Sequence, residues 1–110
     1  FVVKAVKRAY FLEKLRRKNA ESVAAEGAVS FAVYGSFASG EYDEKSDVDL
    51  LIIGRREQLS EKGVAELEKK LGKRIQVTVV PPQKWEKGRQ GEPFAQSVLR
   101  NHVLLKGMPL

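Results

Sequence analysis

Hydrophobic positions along the chain change period several times, and each change marks an element. At 100° per residue, Lys4, Lys7, Arg8, Lys14 and Lys18 fall within an arc of about 120°, while Val2, Val3, Ala5, Val6, Ala9, Tyr10 and Leu12 occupy most of the opposite side. This predicts a basic amphipathic helix within residues 1–28, its cations toward water, fading near Glu26 and Gly27. Val29–Tyr34 then alternates, with Val29, Phe31 and Val33 on one face, and predicts a first strand stopped by Gly35-Ser36. Phe37–Gly40 has room for a single turn or brief helix, and Glu41–Ser46 is a polar loop. Asp47–Ile53 predicts a second strand, with Val48, Leu50 and Ile52 on one face and Asp47, Asp49, Leu51 and Ile53 on the other. Its far end is apolar on both sides, as in a central strand.

Beyond it, Val64, Leu67 and Leu71 recur at helical spacing within Gln58–Leu71, and Gly72 follows as a C-terminal cap. Arg74–Val80 predicts a third strand ended by Pro81-Pro82, and Gln83–Gly91 a polar connection that Trp85 pins to the body. Glu92–Asn101 predicts a helix using Phe94, Val98 and Leu99, and Val103–Leu105 a short edge strand. The order helix, strand, strand, helix, strand, helix implies an α/β (α+β) fold, a mixed sheet of three to four strands packed against helices. Residues 1–28 are read as a helical connector and 29–110 as the domain proper.

Composition narrows this further. A length of 110 residues with 43% apolar content suits one domain and is too short for two. The absence of cysteine removes disulfides, thiolate zinc sites and a cysteine nucleophile, and a single histidine removes a histidine-based metal cluster. No apolar run approaches the ~18 residues of a membrane span, so a cytoplasmic protein without a membrane partner is the expectation. Phe1-Val2-Val3 precedes Lys4, Lys7 and Arg8, the reverse of a signal peptide's order. The first residue is not Met, and the sequence is expected to be part of a longer chain. Of the 20 Lys and Arg against 14 Asp and Glu, residues 1–18 hold seven cations against Glu13 alone, so the whole net charge of +6 is N-terminal. Clustered cations attract phosphate, whether of nucleic acid or of a nucleotide, although no aromatic ladder accompanies them for reading bases.

The chemistry is concentrated in Gly35-Ser36 and, ten residues on, Asp47-Val48-Asp49 opening an otherwise apolar strand. Side chains two apart on a strand share a face, so both carboxylates point the same way at the strand's mouth. Two adjacent anions repel, and a hard divalent cation, Mg²⁺, completed by water and substrate phosphate, offsets that cost. A glycine ending the preceding strand lets backbone approach a bulky ligand, and Ser36 adds a hydroxyl and an N–H, which together make a phosphate cradle. His102, Trp85, Phe94 and the Arg55-Arg56 pair read as structural or solvated positions, and Glu66 with Lys69 and Lys70 as helix-surface pairing.

The stretch Tyr34-Gly35-Ser36-Phe37-Ala38-Ser39-Gly40, followed by Lys45-Ser46-Asp47-Val48-Asp49-Leu50-Leu51-Ile52, resembles the glycine-serine turn and paired-aspartate strand of the DNA polymerase β-like nucleotidyltransferases, in particular the small prokaryotic minimal nucleotidyltransferases. The resemblance implies Asp47 and Asp49 as catalytic Mg²⁺ ligands and Gly35, Ser36 and Ser46 as nucleotide-binding residues. It implies an NTP substrate, taken as ATP, whose nucleotidyl group passes to an acceptor hydroxyl, with a partner protein among the candidate acceptors. By the same resemblance, members with full activity usually carry a third carboxylate on the next core strand, which helps bind a second metal and deprotonates the acceptor, where this chain has Gln76. Without that base, transfer is slow, borrows Glu41, Asp43 or Glu44 from the loop, or is lost. The alternative is a non-catalytic nucleotide-binding, regulatory or antitoxin-type module, joined to an upstream DNA-binding winged helix and contacting DNA through its basic helix. Val103–Leu105 at a sheet edge is the expected contact of a homodimer.

Overall fold

A computed structural model describes residues 2–110; Phe1 lies outside the described residues. The elements run α1 (Val2–Arg17), β1 (Ser30–Tyr34), α2 (Ser36–Ser39), β2 (Val48–Ile53), α3 (Glu61–Leu71), β3 (Ile75–Val80), α4 (Pro82–Gly88), α5 (Pro93–Arg100) and β4 (His102–Gly107), with 3₁₀ turns at Ala20–Val23 and Arg56–Gln58. One mixed sheet has the order β3-β2-β1-β4: β1 is antiparallel to both β2 and β4, and β2 is parallel to β3. The parallel pair requires a crossover, which α3 supplies. No helix among the described residues is long and apolar enough to cross a membrane.

The sheet has a core on each side. Phe31, Val33, Val48, Leu50, Ile52 and Ile75 face a layer containing Phe11 and Leu15 of α1 and Leu67 and Leu71 of α3. Ala32, Leu51 and Ile53 face Trp85, Ala95, Val98 and Leu110. Five of the six residues of β2 are therefore buried, as its apolar run requires, and each such Leu or Ile contributes about 1.5–3 kcal/mol. Ser60 caps α3 by accepting a hydrogen bond from the Gly63 N–H at 3.0 Å, and Gly72 closes the helix.

Three expectations need correction. The first helix stops at Arg17 rather than near Gly27, because Asn19 takes a left-handed conformation (φ 58°) and turns the chain into the 3₁₀ segment. Its rotation is also reversed. Val2, Val3, Val6 and Tyr10 are 60–71% exposed, while Phe11 and Leu15 are buried. The helix carries apolar residues on two sides, and the side with the larger anchors wins. Phe11 packs on Phe37 and Tyr42, with ring centroids 4.0 and 5.7 Å away, and such aromatic pairs add about 0.5–1.5 kcal/mol to the burial itself. Lys4 and Lys7 then lie over the loop after α2. The Lys7 ammonium sits 4.5 Å from the Tyr42 ring centroid and donates to the Tyr42 carbonyl, while the Tyr42 hydroxyl donates to the Lys7 carbonyl at 2.8 Å. Their long stems cover apolar surface and keep the charge near water.

Second, most of the polar connection after β3 is the helix α4, started by Pro82 at its first position, where a missing N–H costs nothing. Trp85 anchors it, as the sequence suggests, at 4% exposure. Third, the first three strands begin one residue late, whereas the fourth begins one residue early and runs on from His102 to Gly107. Val29 precedes β1 and packs with the second core, not with Phe31 and Val33, and Asp47 precedes β2.

Candidate active site

The register of the sheet assembles the site. Asp49, second residue of β2, lies opposite Tyr34 on β1 and opposite Gln76 on β3. Its face leads into the second core, but the covering helices reach only Leu51 and Ile53, so Asp49 is left half-buried. Asp47 stands just ahead of the strand, and the Gln76 side-chain amide donates to its Oδ2 at 3.1 Å. Burial first, and then the negative charge of Asp47, push the Asp49 carboxyl above its ordinary value. The charge of Asp47 thus acts on Asp49, as the Asp-x-Asp spacing implies.

Gly35 is fitted to Asp49. Its backbone (φ 73°, ψ −149°) is one that L side chains rarely adopt, and a Cβ there would stand 2.7 Å from Asp49 Oδ2. The same glycine opens α2 and lines an open cleft of about 330 Å³ with Ser36, Ser39, Glu41, Ser97 and Asn101. The carboxylate pair and the cleft therefore meet at one backbone position. Gly40, closing α2, lies against the Lys4 carbonyl with no space for a side chain, which holds the turn against α1. A larger cavity of about 420 Å³ lies between α1 and β4, lined by Leu12, Leu15 and Leu105 among others, on the opposite face of the sheet from Asp49. It offers no carboxylate pair, so the chemistry, not the volume, identifies the site.

Of the residues singled out in the sequence, Asp47, Asp49 and Gln76 come together, and Gly35 joins them to Ser36 in the cleft. Ser46 does not line it: its hydroxyl accepts from the Asp43 N–H at 3.0 Å and lies 3.3 Å from Asp43 Oδ1, which closes the loop on itself. Asp43 is occupied in the same turn. The Lys45 N–H donates to its Oδ1 at 2.8 Å and, with help from Ser46, holds the carboxyl below its ordinary value. Glu41 does line the cleft and pairs with Lys4 at 3.5 Å across an exposed gap. His102 is structural, its Nδ1 lying 3.0 Å from the Val98 carbonyl at the end of α5.

Ser39, Ser97, Asn101 and Tyr34 were not anticipated. Ser39 lies three residues after Ser36, hence on the same helical face, and that spacing could have revealed it. Ser97 on α5 and Asn101, the residue that caps its C-terminus, reach the cleft only through the tertiary fold. The Tyr34 hydroxyl lies 3.2 Å from Thr78 Oγ1, and its ring meets Phe94 edge-on at 5.6 Å. Burial raises its pKa, Thr78 opposes that, and Asp49 adds to it.

The donor set suits one hard cation. Two carboxylates supply anionic oxygens, and Mg²⁺ keeps its remaining positions for water and substrate phosphate. A cage made wholly by protein is not available, because among the described residues no three or more His, Asp or Glu side chains gather to hold a metal.

The chain matches the nucleotidyltransferase domain family over residues 10–105. No curated protein matches it. Among solved structures it is similar to one assigned as a minimal nucleotidyltransferase, at 27% identity over 96% of this chain and 91% of that one, with a TM-score of 0.48. A toxin-antitoxin structure with AMP-PNP is similar at 15% identity over 92% of this chain and 73% of that one, with a TM-score of 0.49. A chain assigned as a nucleotidyltransferase from Sulfolobus solfataricus is similar at 16% identity over 98% and 90%, with a TM-score of 0.39.

Proposed function

The chain belongs to the nucleotidyltransferase domain family, and on that premise we propose that it moves a nucleoside monophosphate from an NTP, with ATP as the working choice, to an acceptor hydroxyl, using Asp47 and Asp49 to hold Mg²⁺. The observation that carries this is the carboxylate pair at the mouth of β2, whose Asp49 abuts a glycine that also lines the cleft. Bound there, Mg²⁺ supplies positive charge against the triphosphate and the charge that builds at the α-phosphate.

The chain's own residues do the rest. Gly35 lets backbone approach the triphosphate, and the Ser36, Ser39, Ser97 and Asn101 side chains offer neutral hydrogen bonds around the cleft. The acceptor oxygen bonds to the α-phosphorus, the bond to the bridging oxygen breaks, and pyrophosphate leaves with that electron pair. With no carboxylate at position 76 to take it, the acceptor's proton passes to solvent water, and because a positioned base is worth about 10²–10⁴ in rate, turnover is slow.

Incubation with α-labelled NTPs and Mg²⁺, alone and with cell extract, should transfer label to protein, nucleic acid or a small molecule, and the Asp47→Asn/Asp49→Asn variant should not. Equal labelling by the variant would defeat the assignment. A second reading, nucleotide binding without turnover, is favoured by Gln76 alone. Nucleotide retention with no label transfer in any mixture would select it.

A further inference from the structure

Gln76 stands where the resemblance implies a third carboxylate, and its chemistry is the opposite of a carboxylate's. Parallel pairing puts it beside Asp49, and its side chain crosses to Asp47, placing an amide N–H on Oδ2 at 3.1 Å. A carboxylate there would add a third anion to a pair that already repels. The amide instead brings two N–H donors and one neutral oxygen, so it partly offsets the Asp47 charge by itself and commits one Asp47 oxygen to a protein donor.

Position 76 is set by the strand register rather than by a loop, so the backbone of Gln76 is returned to the same place, with its side chain in reach of Asp47, whenever β2 and β3 pair. Asp47, by contrast, lies just outside β2, with no strand pairing of its own to fix it. Among its described hydrogen bonds, the one from Gln76 ties the Asp47 carboxylate back to the sheet.

We infer that Gln76 is a positioning residue that orients Asp47 and makes this a one-cation site, its amide occupying the coordination that a second divalent ion would need. The inference rests on the metal-binding role proposed above for Asp47 and Asp49. It explains how the pair keeps its geometry without a third acid, and it makes ion stoichiometry, rather than rate, the distinguishing property. Groups that orient metal ligands change metal affinity by about 10–100-fold when removed.

The test is the number and affinity of Mn²⁺ ions retained by the full chain with saturating α,β-methylene ATP, measured by electron paramagnetic resonance and equilibrium dialysis. The wild type should retain one ion per chain. Gln76→Leu should retain one ion with affinity lowered roughly 10-fold, and Gln76→Glu, of the same length, should retain two. Thermal unfolding midpoints serve as the folding control, since position 76 is exposed on an edge strand. Two ions on the wild type, one ion on Gln76→Glu, or unchanged affinity in Gln76→Leu would each overturn the inference while leaving Asp47 and Asp49 as ligands. No ion on the wild type would overturn it together with the function it rests on.

Discussion

Val48, Leu50 and Ile52 lie on one face of β2 and are sealed beneath α1 and α3, whereas Asp49, Leu51 and Ile53 lie on the other, where α4, α5 and the C-terminal Leu110 cover only the last two. The strand is the same; the covering differs. On the sealed face every side chain gains by burial, so sequence and stability point the same way. On the open face, one strand position carries a charge that burial penalises and a neighbouring charge makes worse. A penalty retained near the mouth of an otherwise dry strand marks a candidate functional site. The difference can be probed one residue at a time, because positions 49 and 50 are neighbours in sequence and opposite in role.

The largest effect should come from the open face. Replacing Asp47 or Asp49 by Asn should lower label transfer by on the order of 10³, equivalent to about 4 kcal/mol of transition-state stabilisation, with the fold intact by circular dichroism. An Asp49→Asn variant that kept its rate would erase the distinction between the faces.

Next in size is the sealed face. Leu50 is fully buried, and Leu50→Ala should cost about 2–5 kcal/mol through lost burial and the cavity left behind. Denaturant titration should show the midpoint falling, while Mg²⁺-dependent transfer per folded molecule stays near wild type below the transition. Loss of rate without loss of stability would mean that the two faces are not separable.

Between them stands Gly35, which serves both. Gly35→Ala should cost about 1–3 kcal/mol of stability from its backbone conformation alone, and it should also weaken nucleotide binding, since the added Cβ would meet Asp49 Oδ2. A calorimetric nucleotide titration beside the unfolding curve separates the two losses. Stability lost with unaltered nucleotide affinity would place Gly35 on the structural side only.

How far the sequence reveals this arrangement depends on whether one local signal or several compete. β2 and α3 are legible because each carries one unambiguous local signal: Asp-x-Asp and then a short continuous apolar run in one, and Leu67 with Leu71 before Gly72 in the other. The helix α1 is ambiguous in sequence because it has two apolar sides, and only the packing of Phe11 against Phe37 and Tyr42, distant in sequence, decides between them. The same holds for the site. Asp47, Asp49, Gly35 and Ser36 announce themselves through spacing, and Gln76 through strand alignment, whereas Ser97 and Asn101 reach the cleft only once α5 is folded onto the sheet. Ser46 shows the converse, a residue inside a recognisable motif whose hydroxyl the loop uses for itself.

The smallest expected effect is also the one most specific to the open face, because it has the opposite sign from ordinary core damage. Without divalent ions, Asp49→Asn should raise stability by up to about 1 kcal/mol, a modest figure because the site is open to water and screening weakens the repulsion. The sign follows from the raised Asp49 pKa. The folded chain holds that proton more tightly than the unfolded chain, so stability falls as pH rises from the ordinary value of 3.8 through the higher folded value. Asparagine has no such proton. The variant's advantage in thermal midpoint should therefore be full at neutral pH, shrink as pH falls through the acid range, and vanish below about 3.8. Mg²⁺ should stabilise the wild type alone and narrow the gap at neutral pH, since a ligand favours the state that binds it. A gap that is independent of pH, or a variant less stable than wild type at neutral pH without metal, would mean that Asp49 is not held under electrostatic strain, and the contrast between the two faces of β2 would reduce to a difference in exposure.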